Sequence, residues 1–157
     1  MGEHLKQVMR RWPSGVAIAI ARHGDRIHGM TVNSFTSVSV DPPCVTVTMA
    51  NNTRTRDLVE GGGHFGICIL SRDQVDIADR FAGKDALTAD DRFQGLTLFS
   101  LLSGTPLLMD SLAQLDCRVV HRYPMQNSTL YVGQVLACRL GKEGQPLQYL
   151  NRAYLVR

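Results

Sequence analysis

GMTVNSFTSVSVDPP, residues 29–43, is a β-strand pattern with an unusual number of hydrogen-bonding side chains. Within nine residues it carries six short polar side chains, which are Thr31, Asn33, Ser34, Thr36, Ser37 and Ser39. Because side chains alternate along a strand, both faces of this hydroxyl-rich segment mix polar with apolar groups. Hydroxyl and amide groups cost free energy when they are buried without partners. The segment is therefore either a solvated edge strand or one wall of a site for a polar ligand, and both interpretations stay open.

Short strand patterns flank the hydroxyl-rich segment. Residues 16–21 form a continuous apolar run, and the turn-forming sequence HGDR at 23–26 separates this run from the segment, which predicts a hairpin. Asp41 and two prolines end the segment, since proline cannot donate to a strand ladder. Further strands are predicted over 44–49, 65–70, 113–119 and 130–140. Helices are predicted over 3–11, over 56–60 and after Ser71, and the charged residues 85–95 are predicted to form a surface loop.

These elements predict a mainly β fold in which all 157 residues form one domain. Many short strands are separated by turns, helices are few, and no βαβ rhythm is present. An antiparallel β-barrel with peripheral helices is the architecture that this order favours.

Composition limits the class of partner. The chain has 17 Lys plus Arg against 14 Asp plus Glu, and aromatic residues make up only 6%. We therefore expect no nucleic-acid partner, because such surfaces need a basic groove and aromatic stacking platforms. No apolar run reaches the roughly 20 residues of a membrane span, and the N-terminus lacks a signal-peptide pattern, so we expect a cytoplasmic protein that does not enter a membrane.

Cysteine and histidine spacing gives no support for a metal site. The sequence has no CxxC, HxH or HExxH motif. The four cysteines lie in apolar, strand-like runs, which favours small buried hydrophobic side chains over disulfide or metal roles.

The polar corner at residues 51–55, NNTRT, follows a predicted strand and precedes a predicted helix. A helix N-terminus presents free backbone N–H groups and the positive end of the helix dipole, and Arg54 and Arg56 add cations. This arrangement suits a phosphate. Simple N-capping by Asn52 or Thr53 is the alternative, and it explains one residue of the corner.

The order of motifs along the chain resembles that of one family. The motifs are WPSGVAIAIA at 12–21, the hydroxyl-rich segment, the 51–55 corner, RFAGKDA at 80–86, TLYVGQVLAC at 129–138 and PLQYLNRAYL at 146–155. Together they resemble the flavin reductase-like proteins, which are FMN-binding split-barrel enzymes that act as reductase components of two-component flavin monooxygenases. The resemblance implies a six-stranded antiparallel Greek-key split barrel, a homodimer with flavin near the subunit interface, and a separate oxygenase component as a possible partner.

The resemblance also implies an activity, a cofactor and a set of residues. The activity is NAD(P)H-dependent flavin reduction, with FMN or FAD as cofactor and NADH or NADPH as hydride donor. The residues implied to contact the flavin are Thr31, Val32, Asn33, Ser34, Ser37, Val38, Ala50, Asn51, Thr53, Arg54, Thr55 and Phe81. Because the flavin itself carries out the redox chemistry, no catalytic side chain is predicted.

One position departs from the family pattern. Many relatives carry an acidic residue and a histidine just before the strand that matches Thr129 onward, and that histidine is associated with the nicotinamide. Here the two positions are Asn127 and Ser128. Either Ser128, Arg152 or Tyr154 contacts the nicotinamide instead, or the protein holds flavin as an electron carrier or sensor without reductase activity. Both alternatives remain open.

Overall fold

The computed structural model describes residues 1–156 and consists mainly of antiparallel β-strands. The helices are α1 (Gly2–Met9), α2 (Arg54–Gly62) and α3 (Val75–Phe81), with a short 3-10 helix at Ala86–Thr88. The strands are β1 (Ser14–Gly15), β2 (Ala17–His23), β3 (Arg26–Val32), β4 (Thr36–Val40), β5 (Pro43–Ala50), β6 (His64–Ile69), β7 (Leu98–Phe99), β8 (Leu107–Leu108), β9 (Ala113–Pro124), β10 (Ser128–Leu140), β11 (Gln148–Leu150) and β12 (Ala153–Leu155). No helix within these described residues is long and apolar enough to cross a membrane.

Seven strands form one antiparallel sheet in the order β3-β2-β6-β9-β10-β5-β4. Edge strand β3 also contacts β5, which lies one strand in from the opposite edge, so the sheet curls toward a barrel. Strands β1, β11 and β12 form a separate sheet, and β7 pairs with β8. The predicted antiparallel β class with peripheral helices is confirmed, but the predicted count of six strands was wrong.

The apolar run at 16–21 becomes β2, which is buried on both faces. Ala19 packs with Phe65 in the cluster inside the curled sheet. Ile18 and Ile20 pack with Phe81 in a second cluster, on the other face of the strand. Because both faces are covered, this strand reads as a continuous apolar run and does not alternate with polar residues.

The hydroxyl-rich segment is not one strand, as predicted, but two. It supplies the end of β3 and all of β4, which lie at opposite edges of the seven-stranded sheet. Between them, Ser34 Oγ donates to the backbone oxygen of Thr48 at 2.8 Å and accepts from the backbone nitrogen of Thr48 at 3.1 Å. Such side-chain bonds to the backbone compete with a regular ladder, which explains the break and the extra strand.

The 85–95 region is mostly exposed, as its prediction as a surface loop requires, and Arg92 and Phe93 dock it against the protein body. The Phe93 side chain is 8% exposed, and its ring meets the Phe81 ring edge-on, with 5.2 Å between ring centroids. Arg92 Nη1 donates to the backbone oxygens of Gly29 and Phe81, each at 2.9 Å. One apolar ring and one guanidinium among the charged residues are enough to fix this region on β3 and α3.

The cysteines divide by burial. Cys68 and Cys117 are buried, and burial raises the pKa of each thiol to about 12. Cys138 lies near the exposed end of β10 and is itself exposed, so the prediction of a buried side chain was wrong there.

Candidate functional site

A cleft of about 470 Å³ lies between β3, the start of α2, the end of α3 and the docked 85–95 region. The residues that line this main cleft are His28, Met30, Thr31, Asn52, Thr53, Arg54, Phe81, Ala82, Ala89 and Arg92. Its volume falls within the range of small-molecule sites in proteins.

Two further hollows adjoin the main cleft, and the three together are called the groove below. The second hollow, of about 250 Å³, shares Thr31 and Ala82 with the main cleft. Its other lining residues are Val16, Val32, Asn33, Lys84, Tyr149 and Tyr154. A third hollow of about 250 Å³ shares Asn33 and Tyr149 with the second and includes Trp12 and Arg152. The groove therefore runs from the arginine end of the main cleft to the C-terminal hairpin β11–β12.

Contacts between β3 and α3 build one wall of the groove. Thr31 Oγ1 donates to the backbone oxygen of Ala78 at 2.6 Å. The buried Phe81 ring packs on Gly29, where an added Cβ would lie only 2.9 Å from the ring. Glycine is therefore required at this position for the close approach of the ring to the strand.

The start of α2 forms the opposite end of the main cleft. Thr53 is the N-cap, and its Oγ1 accepts from the backbone nitrogen of Arg56 at 3.4 Å and donates to the backbone oxygen of Ala50 at 2.8 Å. N-capping is thus confirmed for Thr53. The exposed residues Asn52 and Arg54 line the cleft beside this helix end, where the helix dipole favours negative charge.

His28 lies between these two walls. Its Nδ1 is 2.8 Å from Oγ1 of Thr55, which is fully buried on the first turn of α2. Burial and then the charges of Arg92 and Arg54 lower the pKa of His28 to about 4. Burial and Arg54 also lower the pKa of Arg92. The cleft thus holds two arginines and a neutral imidazole, an environment that attracts an anion.

The structure brings together part of the predicted site. The predicted residues in the main cleft are Thr31, Thr53, Arg54 and Phe81, and those in the adjoining hollows are Val32, Asn33, Arg152 and Tyr154. Thr55 lies behind His28. Besides Thr55, six predicted residues line none of these three hollows: Ser34, Ser37, Val38, Ala50, Asn51 and Ser128. The predicted contact of Ser128 with the nicotinamide, and that of the other five with flavin, stay predictions.

Asn51 has a structural partner at the turn between β9 and β10. Its Oδ1 accepts from Thr129 Oγ1 at 2.7 Å, and its backbone nitrogen donates to the backbone oxygen of Asn127 at 2.9 Å. Ser128 pairs with Ala50 across the β5–β10 ladder. The two positions that depart from the family pattern are thus held against the end of β5.

His28 and Arg92 are cleft residues that sequence reasoning missed. Alternation along β3 puts His28 on the same face as Met30, so extending the face analysis two residues upstream would have found it. Arg92 had no such signal, because it is 63 residues from Gly29, whose backbone oxygen it binds.

The residues of the main cleft fit a flavin. A flavin combines an apolar ring face, a polar ring edge and, in FMN and FAD, an anionic phosphate group. The cleft offers apolar contacts from Met30 and Phe81, a hydroxyl from Thr31, and cations from Arg54 and Arg92. These groups match the ligand in kind.

Comparison with known proteins gives the same assignment. Residues 9–156 match the family model described as a flavin reductase like domain. The chain is 39% identical over 135 residues to an NADH-dependent flavin reductase from Rhodococcus sp, covering 84% of this chain and 73% of that protein. It is 32% identical over 151 residues to the actinorhodin polyketide dimerase of Streptomyces coelicolor, covering 96% and 83% of the two chains. Its fold matches the styrene monooxygenase flavin reductase of Pseudomonas putida S12 with a TM-score of 0.84 and 30% identity, covering 96% of this chain and 95% of that one. The chain therefore belongs to the flavin reductase-like family and shares its split-barrel fold.

Proposed function

We propose that this protein is an NAD(P)H-dependent flavin reductase that binds FMN or FAD in the main cleft and supplies reduced flavin to a separate monooxygenase. The observation that carries the proposal is the groove itself. At Thr31 and Ala82, a cleft with a cationic end meets a second hollow lined by Tyr149 and Tyr154, which leaves room for two ligands side by side. The Rhodococcus and Pseudomonas relatives, by their names, are flavin reductases.

Each wall of the groove has a role in this proposal. Arg54 and the N-terminus of α2 hold the phosphate, and Met30 and Phe81 contact the apolar ring. Thr31 meets the polar edge of the ring, and that edge extends past Thr31 into the second hollow, where it meets Asn33. When bound, the flavin supplies the redox chemistry by accepting a hydride from the nicotinamide. The side chains orient the two rings and exclude water, and neither task needs an acid or a base.

The hydride donor has its place in the second and third hollows. Tyr154 lines the second hollow, where Lys84 Nζ lies 5.9 Å from the centroid of the Tyr154 ring. Arg152 lines the third hollow and can pair with a dinucleotide phosphate. Ser128 lies outside both hollows, so Tyr154 and Arg152 are the better supported contacts.

Association of two copies belongs to the same proposal. Val40 on edge strand β4 is 89% exposed, and Val38 is 54% exposed, which leaves an apolar edge for a second copy to cover. A homodimer would also bring a second chain near those predicted residues that lie outside the groove. Light scattering should give twice the chain mass, and a monomer at micromolar concentration would remove this part of the proposal. A cytoplasmic location, where NADH and NADPH are available, completes it.

The activity is tested by mixing purified protein with FMN or FAD and adding NADH or NADPH without oxygen. We expect the visible absorbance of the bound flavin to bleach. If only dithionite bleaches it, the protein is a flavin-binding carrier. That alternative is favoured by Ser128 at the position where many relatives carry a histidine. A protein that binds neither flavin would overturn both functions.

The phosphate contact is tested by the variant Arg54→Ala. We expect FMN binding to weaken about tenfold, since hydrogen bonds to charged groups contribute roughly 1.5–3 kcal/mol. Riboflavin, which lacks the phosphate, should bind the variant and the original protein equally. Arg26→Ala is the matched control, because Arg26 is an exposed arginine at the other end of β3. If Arg54→Ala weakened the binding of FMN and of riboflavin equally, the phosphate would not bind at the N-terminus of α2.

A further inference from the structure

We infer that His28 is a positioning residue that takes up a proton when the anionic phosphate of the flavin enters the main cleft. The inference rests on the proposed function and deepens it, since it names a group that makes phosphate binding depend on pH. The departure at Ser128 and the choice of hydride donor do not enter into it.

The position of His28 is fixed from behind by α2. Nδ1 of the ring lies 2.8 Å from Oγ1 of the buried Thr55, and His28 itself lines the main cleft. Because Nδ1 is engaged by the hydroxyl, Nε2 is the ring nitrogen left for a ligand. The bond to Thr55 therefore sets the ring relative to the helix N-terminus where the phosphate is proposed to bind.

The surroundings of the ring come from four elements. Strand β2 places Ala21 opposite His28, and α3 contributes the apolar Phe81 ring to the same cleft. The charges that act on the imidazole are Arg54 from α2 and Arg92 from the docked 85–95 region, and both are positive. Burial and these two cations lower the pKa of His28 to about 4, so the ring is neutral near pH 7 in the ligand-free cleft.

An entering phosphate reverses this balance. It brings a charge of up to about −2 into a space shared by two cations and the ring, and an opposite charge within about 4–6 Å favours the protonated imidazole. The protonated ring then donates from Nε2. Because the pKa of His28 is higher in the complex than in the free protein, the complex holds more protons between those two values. The contribution of His28 to phosphate binding must therefore grow as the pH falls, by at most about tenfold per pH unit for one proton.

The test counts protons by calorimetry. FMN is titrated into the original protein and into His28→Asn at pH 6.5, in two buffers that differ in ionisation enthalpy. The phosphate of FMN has its own ionisation near pH 6, but that contribution is shared, so the difference between the two proteins reports His28. We expect the original protein to take up more protons, by up to one. We also expect its advantage in FMN affinity over the variant to shrink about tenfold between pH 6 and pH 8. Riboflavin should give equal proton counts with both proteins.

A measurement on the unaltered protein covers the case in which the variant does not fold. The ¹⁵N shifts of the His28 ring, assigned in the labelled original protein by correlating the ring with its own backbone resonances, report its charge directly. At pH 6 we expect a neutral ring in the free protein and a protonated ring with FMN bound. A ring that stays neutral in the complex, or equal proton counts in the calorimetry, would overturn the inference and leave the proposed function intact. Failure of the original protein to bind any flavin would remove the proposed function itself.

Discussion

The two halves of the hydroxyl-rich segment have similar compositions and different uses. The first half ends β3, and its Thr31 lines the main cleft. The second half forms β4, an edge strand in which Thr36, Ser37 and Val40 are exposed. Ser34 separates the halves by bonding both backbone groups of Thr48. A strand pattern with many hydrogen-bonding side chains therefore identifies a segment whose polar groups need partners. The topology decides which of these groups meet a ligand.

The halves also differ in what supports them. Behind the first half, Phe81 packs on Gly29, Thr31 bonds the backbone of α3, and Arg92 bonds the backbone of Gly29. The second half pairs only with β5 in the sheet. Substitutions that remove support from the first half should therefore have the larger effects on stability.

The largest expected effect is that of Phe81→Ala. Phe81 is fully buried against Gly29 and Phe93, and truncation of such a ring costs about 3–5 kcal/mol in the free energy of unfolding. Phe35→Ala, at the break between the halves, removes a half-buried ring and should cost less. Urea unfolding measures both. If Phe81→Ala lowered the free energy of unfolding less than Phe35→Ala, the first half would not be the more strongly supported of the two.

Ser34→Ala tests the break itself. The variant loses both hydrogen bonds to Thr48 and leaves backbone groups of that residue without this partner, which should cost about 1–3 kcal/mol. Ser37→Ala is the matched control, because Ser37 is exposed on β4 and its replacement should change stability by no more than about 0.5 kcal/mol. Equal unfolding midpoints for the two variants would mean that Ser34 does not hold the chain at this point.

Through His28, the stability that the first half contributes should depend on pH, whereas that of the second half should not. Its pKa is about 4 in the folded protein and about 6.5 in the unfolded chain, so the unfolded chain binds the proton more readily and stability falls as the pH drops from 6.5 toward 4. The full shift corresponds to about 3 kcal/mol, and partial exposure of the ring reduces our expectation to about 1 kcal/mol. Unfolding of ligand-free protein and of His28→Asn at pH 7.5 and 5 measures the difference. If the free energy of unfolding of His28→Asn fell with pH as steeply as that of the original protein, other groups would cause the acid sensitivity.

Local patterns predicted much of the fold. The buried run of β2, the alternation in β9 and the helix that starts at the 51–55 corner all follow from residue spacing. The split of the hydroxyl-rich segment could not be predicted, because it depends on Ser34 meeting Thr48, a residue in another strand. The docking of the 85–95 region likewise depends on contacts with residues distant in sequence.

The candidate site divides in the same way. Thr31, Thr53 and Arg54 line the cleft at positions that motif and helix-terminus arguments had indicated. His28 and Arg92 were missed, although Arg92 supplies one of the two cations of the cleft and His28 is the neutral imidazole on which both cations act. For Asn51 the family resemblance implied a flavin contact, which stays a prediction, and its side chain bonds Thr129 within the fold.

Asn33→Ala should have the smallest effect on stability and is the sharpest test of the first half as a binding wall. Asn33 is exposed and lines the second and third hollows, so its replacement should leave the free energy of unfolding within about 0.5 kcal/mol. Loss of one amide hydrogen bond to flavin should weaken binding about threefold to tenfold. Thr36→Ala is the control, since Thr36 is an exposed polar residue of the second half and should leave flavin affinity unchanged in the monomer.

If Thr36→Ala weakened flavin binding as much as Asn33→Ala, both halves would contact the ligand. Because no residue of β4 lines any of the three hollows in one copy, we would expect that contact to come from the β4 of a second copy. Repeating the titration at protein concentrations above and below the association midpoint separates the two cases. An effect of Thr36→Ala confined to the dimer would give the exposed half a role in the partner's site, whereas an effect that persists in the monomer would contradict the division at Ser34.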